Sequence, residues 1–135
     1  MFIDGSGGVG VRIDSDTGTV IDDVDAGSRP HSVALGFGSL WVTDHGTANL
    51  FRFAPDGAPE AQIPGPGLNV AIAVTDDAVW AAGPTGLFRI DPASNQIAAK
   101  LRLGPGDWYG MAHAADFLWV SSGESNHVLQ VDPPD

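Results

Sequence analysis

Four histidines, 17 acids and no cysteine define the chemistry open to this 135-residue chain. The lack of cysteine removes disulfides, thiolate zinc sites and cysteine nucleophiles, and leaves the redox compartment open. His31, His45, His113 and His127 include no pair at an H-x-x-x-H spacing, so no metal site is expected. His113 follows Gly110-Met111-Ala112 and is expected on a strand as a hydrogen-bonded structural histidine, with lining a channel as the alternative. His45 and His127 fall in or beside loops and are expected to be solvated. Asp14, Asp16 and Gly18 look like the start of a calcium loop, but the glycine comes at position five and no acid closes the loop. A hairpin turn explains them. Gly5-Ser6-Gly7-Gly8-Val9-Gly10 has neither the lysine nor the following helix of a phosphate loop, and reads as a flexible connection. Asp22, Asp23 and Asp25 read as a solvated strand edge that deters edge pairing. Trp108-Tyr109, after Gly104-Pro105-Gly106-Asp107, is the exposed aromatic pair expected to anchor a ligand or to pack on a neighbouring element.

A net charge of −11 with scattered bases (Arg12, Arg29, Arg52 and Arg89, then Lys100 near Arg102) excludes binding to a phosphate backbone. No apolar run exceeds five residues, so no membrane span is expected, and no signal peptide is visible after Met1. As written, the chain reads as soluble and cytoplasmic. Fifteen of the 17 acids are Asp. Asp belongs in turns and caps, whereas Glu and Lys form helices, so an all-β chain with many turns is favoured.

The elements that must position these residues repeat. Trp41, Trp80 and Trp119 are 39 residues apart, and another step back lands on Phe2. Each tryptophan lies in one phrase: Leu40-Trp41-Val42, Val79-Trp80-Ala81, Leu118-Trp119-Val120. Eight residues earlier come Val33-Ala34, Ile72-Ala73 and Met111-Ala112. A third phrase reads Val11-Arg12-Ile13-Asp14, Phe51-Arg52-Phe53-Ala54, Phe88-Arg89-Ile90-Asp91 and Leu129-Gln130-Val131-Asp132. Each unit holds four short runs, such as 31–35, 40–44, 50–53 and 60–63, then 68–74, 79–82, 87–91 and 96–103. Turn residues bound them. Four antiparallel strands on a period near 40 predict the blade of a β-propeller. Phe2, Trp41, Trp80 and Trp119 are then the rings expected to fill the gaps between blades. The arithmetic gives 14 strands: a partial blade over 1–27, full blades over 28–65 and 66–106, and a partial blade over 107–135. Four blades with open ends leave three readings: part of a larger ring, a half-ring closed by a second copy, or a small closed ring.

At Pro30-His31-Ser32-Val33-Ala34, Leu40-Trp41-Val42-Thr43-Asp44 and Phe88-Arg89-Ile90-Asp91-Pro92 the sequence resembles the propellers of streptogramin (virginiamycin B) lyases and of YVTN (YncE-like) and NHL repeats. Asp14-Ser15-Asp16-Thr17-Gly18 is similar to the turn of quinoprotein-like propellers, without the tryptophan that follows it there. Most such propellers are binding platforms, which implies a non-enzymatic binding or assembly module without cofactor. The partners would be a second copy, the missing blades of a parent, or a small molecule or peptide. The lyase members imply an alternative, magnesium-assisted elimination, with His31 as base and Asp44 as its carboxylate partner. The next blade has Val70 and Gly83 at these positions, and the one after has Tyr109 and Ser122. Under either reading a ligand would meet His31, Asp44, Trp108, Tyr109 and His113 at the mouth of the ring.

Overall fold

The computed structural model describes residues 2–4, 7–65, 71–104 and 106–134, with side chains from residue 7 onward. Among these residues all regular structure is strand. The first sheet contains β1 (Phe2–Asp4), β2 (Val9–Ile13) and β3 (Val20–Asp25). The second contains β4 (Pro30–Gly36), β5 (Ser39–Asp44), β6 (Asn49–Phe53) and β7 (Pro59–Pro64). The third contains β8 (Ala71–Val74), β9 (Val79–Gly83), β10 (Gly86–Asp91) and β11 (Gln96–Leu101), and the fourth β12 (Trp108–Ala114), β13 (Phe117–Ser122) and β14 (His127–Val131). Every sheet is an antiparallel meander in chain order. The innermost strands meet one another, β1 on β4, β4 on β8 and β8 on β12. Fourteen described strands in sheets of three, four, four and three form the blades of a β-propeller.

Local chemistry sets each hairpin. Two-residue turns at Phe37-Gly38 and Ala115-Asp116 carry positive φ at both positions, the geometry that matches the twist of the flanking strands. The chain turns between its third and outer strands on Asp caps. The Asp14 carboxylate accepts from the N–H groups of Asp16 and Thr17, and that of Asp91 from Ala93 N–H and Ser94 Oγ. A register shift follows the same residue in three blades, after Arg12, Arg52 and Arg89. The acidic run on β3 is not uniformly solvated, because Asp22 forms a bidentate pair with Arg12 at 2.6 Å.

Packing between blades is a layered repeat. One cluster joins Val24 and Ala26 of the first blade to Leu40, Val42 and Phe53 of the second. A second joins Trp41, Leu50 and Ile63 to Ile72, Val79, Ala81, Phe88 and Ile90 of the third. A third joins Trp80 and Leu87 to Trp108, Leu118, Val120 and Val131 of the fourth. Burial of one such indole contributes roughly 1.5–3 kcal/mol or more. The inner strands leave no slack, since a Cβ on Gly36 would stand 2.5 Å from Val74 Cγ1.

Arginine struts tie successive blades. Arg12 Nη1 donates to Pro55 O at 2.7 Å, and Arg52 Nη1 donates to Pro92 O at 2.7 Å and Asn95 Oδ1 at 2.8 Å. The register corrects one expectation. Phe2 pairs with Val11, whereas Trp41 pairs with Arg52 and Trp80 with Arg89. Phe2 therefore holds the place of Val42 and Ala81, one residue off the tryptophan column, and its side chain lies outside the described residues.

Candidate functional site

On the face where the chain enters the inner strands β4 and β12, a bulge sorts the residues. In β4, Pro30 pairs with Asp44 and Ser32 with Thr43, which leaves His31 out of register. In β12, Trp108 pairs with Ser122 and Gly110 with Ser121, which leaves Tyr109 out of register. A bulge turns the extra residue away from the ladder. Pro30 and Trp108 are accordingly buried, while His31 and Tyr109 are exposed. The equivalent Val70 lies outside the described residues. His31 and Tyr109 are thus the same position of two blades. His31 Nδ1 lies 3.0 Å from Ser32 Oγ. The charge of Asp107, then partial desolvation and Glu124, raise the pKa of the Tyr109 phenol.

Two expected roles change, those of Asp44 and His45. Asp44 does not pair with His31. Its buried carboxylate accepts from Arg29 N at 2.5 Å, Thr47 N at 3.0 Å, Ser28 N at 3.2 Å and Gly46 N at 3.3 Å, and from Thr47 Oγ1. Burial is the largest single influence on this carboxyl and would raise its pKa, but the hydrogen bonds from Thr47, Arg29 and Ser28 together hold it below the usual range. Asp44 is a clamp on the segment that crosses from the first blade to the second. Gly27 makes the approach possible: its φ is +104°, and a Cβ there would lie 2.4 Å from Asp44 Oδ2. Trp108, for which anchoring a ligand and packing on a neighbouring element were both open, is part of the packing between the third and fourth blades. His45, expected in solvent, is half-buried, and its Nδ1 has no partner. His113 is also half-buried, opposite Leu118, and His127 is exposed.

The donor set does not fit the magnesium that the lyase resemblance implies. Among the described residues no group of three His, Asp or Glu converges, and both Asp44 oxygens face N–H or O–H donors. No step through that ion follows from these residues.

A feature that the sequence analysis missed is the contrast among the repeated tryptophans. Trp41 and Trp80 are 0% and 1% exposed, whereas Trp119 is 38% exposed. Register puts Trp119 opposite Ala112 and Gln130, on the side of the fourth blade away from the third. The first blade is its counterpart. Ile13 is 38% exposed, although Phe53, Ile90 and Val131 in the same register position are 3%, 2% and 9% exposed. Each end of the blade array presents the apolar face that internal junctions bury. The signal was available, because the sequence has three tryptophans on one period and four blades.

No family model matches the sequence, and no curated protein matches it. Solved structures do. The chain superposes on virginiamycin B lyase from Staphylococcus aureus with TM-score 0.74 and 21% identity, over 97% of this chain and 50% of that one. The computationally designed Ika4 protein gives TM-score 0.76 at 12% identity, covering 93% and 79%. The Neurospora crassa Pan2 WD40 domain gives 0.74 at 12%, covering 96% and 41%. These likenesses establish a β-propeller fold, shared by proteins of unrelated function. The chain spans half the length of the lyase it superposes on.

Proposed function

We propose that the chain is a non-enzymatic propeller module that completes its ring by pairing with a second copy. Trp119 of one copy covers Ile13 and Val11 of the other, and the reciprocal contact closes an eight-bladed ring. The observation that carries this reading is the exposure of Trp119 where Trp41 and Trp80 are buried. Two open ends of opposite kind on one chain are self-complementary, and twofold closure satisfies both. Uncovered, they would be a pairing liability. The ring face with His31 and Tyr109 is then a presenting surface. The eliminase reading loses its main support because Asp44 serves the backbone.

Mixing two variants tests the pairing. Trp119→Asp and Ile13→Asp should each give monomers, because each spoils both reciprocal junctions. Mixed together they should form a heterodimer through the one junction that remains intact. A mixture that stays monomeric while each variant is folded, or homodimers of either variant alone, would contradict the pairing.

A further inference from the structure

A groove of about 860 Å³ runs between the outer strand of the first blade, β3, and the third and outer strands of the second, β6 and β7. Gly27, Ser28 and Thr47 stand at one end and Gly57 and Pro59 at the other. It therefore follows the length of β6, roughly 17 Å at about 3.4 Å per residue. Its floor is Val24, Phe51 and Phe53, with the two phenyl rings stacked at 6.3 Å. Asp23, Asp25 and Glu60 are its charged lining, and no Lys, Arg or His is among the described residues that line it. Glu60 is paired with Arg52 at 3.1 Å, and Asp23 pairs in register with Val11, which a second copy would cover. Asp25 is the charge left to the groove: it is exposed, with Oδ1 accepting from Gly27 N at 3.2 Å.

The repeat shows what such a ring takes. Phe51 pairs with Gln62, and at the same register position of the third blade Phe88 pairs with Lys100. There the Lys100 ammonium lies 5.1 Å from the Phe88 ring centroid and donates to Thr85 Oγ1 at 3.1 Å. The third blade covers its ring with its own cation. The second blade has the ring, half-buried, but an exposed glutamine in the place of the lysine.

We infer that the groove docks an extended peptide segment of a partner protein through a lysine side chain, whose ammonium lies over Phe51 as that of Lys100 lies over Phe88. The methylene stem packs on Phe51 and Val24, while the ammonium meets the ring face and the Asp25 carboxylate. A net charge of −11 favours the approach of a basic partner. An extended segment fits because the groove is as long as the strand beneath it. The groove lies at an internal junction and does not depend on ring closure.

The test is a titration of isotopically labelled protein with the peptide Gly-Gly-Lys-Gly-Gly, blocked at both ends and read by amide chemical shifts. The same peptide with norleucine for lysine, and butylammonium alone, are the controls. Saturable shifts centred on Asp25, Phe51 and Gln62 are expected, with both controls binding several-fold more weakly. Gln62→Lys, a substitution at an exposed position that supplies the cation from within, should weaken binding about tenfold or more. Phe51→Leu and, independently, Asp25→Asn should each weaken it about threefold. Absence of saturation, equal binding of either control, or undiminished binding to Gln62→Lys would overturn the assignment. Trp119→Asp should leave peptide binding unchanged, so this proposal and the ring-closure proposal fail separately.

Discussion

The internal junctions and the open end of the blade array contain the same residues in different surroundings. Trp41 and Trp119 occupy the same register position, and both indoles donate to the carbonyl five residues earlier, Gly36 O at 3.0 Å and Ala114 O at 3.2 Å. Their geometry is therefore set within a blade by the two-residue turn beside them. Their burial is set between blades. Trp80 shows the reverse case: its neighbouring turn runs Thr75-Asp76-Asp77-Ala78, and its buried Nε1 finds no partner. The difference teaches that a propeller blade folds its own ladder but leaves an apolar face for a neighbour to cover.

The largest expected effect separates the two kinds of junction. Trp41→Ala or Trp80→Ala should cost about 3–5 kcal/mol, the range for deleting a buried aromatic. Trp119→Ala, measured in dilute monomer, should cost under about 1 kcal/mol, since a residue away from the packed core contributes little. Urea midpoints at matched concentration check this, and equal costs would break the comparison.

Next comes the Asp44 clamp. Asp44→Ala should destabilise by about 2–3 kcal/mol, because it removes a buried charged acceptor that several N–H groups share. The folded pKa of Asp44 is lowered, so its contribution is present above the ordinary carboxylate value near 4 and is lost as pH falls through the folded value. Asp44→Asn should therefore flatten the acid limb of stability against pH. Part of the slope should remain from Asp22 and Asp77, lowered first by Arg12 and Arg89 respectively, and from Asp14 and Asp91, lowered first by the N–H groups of Thr17 and Ala93. An unchanged acid limb would contradict the clamp.

The smallest effect compares struts. Arg52 reaches Pro92 and Asn95 in the following blade, while Arg89 bonds Asp77 of its own blade and leaves Nε without a partner. Arg52→Ala should cost about 1–2 kcal/mol, and Arg89→Ala about half as much. Thermal midpoints would show it, with the reverse order counting against inter-blade struts.

The fold was legible because the blade repeat is written in recurrent residues: the tryptophan period, the alanine seven residues earlier and the arginine phrase each mark a strand. Counting by period failed at Phe2, because register follows the strand and not a constant loop length. Arg12 and Arg52 are 40 residues apart, so counting back from the arginine reaches Met1, which lies outside the described residues. The candidate site was less legible. A bulge at one residue decides that Trp108 turns inward and Tyr109 outward, and sequence alone showed only an aromatic pair. The fate of Asp44 depends on Gly27, Ser28 and Arg29, which belong to the crossing from the preceding blade. That contact is created by the arrangement of blades and has no local motif.

The mass of the wild-type protein in solution, by sedimentation equilibrium over a wide concentration range, tests the central claim most directly. Pairing of open ends predicts a species of twice the 14.0 kDa chain mass that gives way to monomer in Trp119→Asp. A wild-type chain that remains monomeric at the highest concentrations, with Trp119 solvent-accessible throughout, would contradict it.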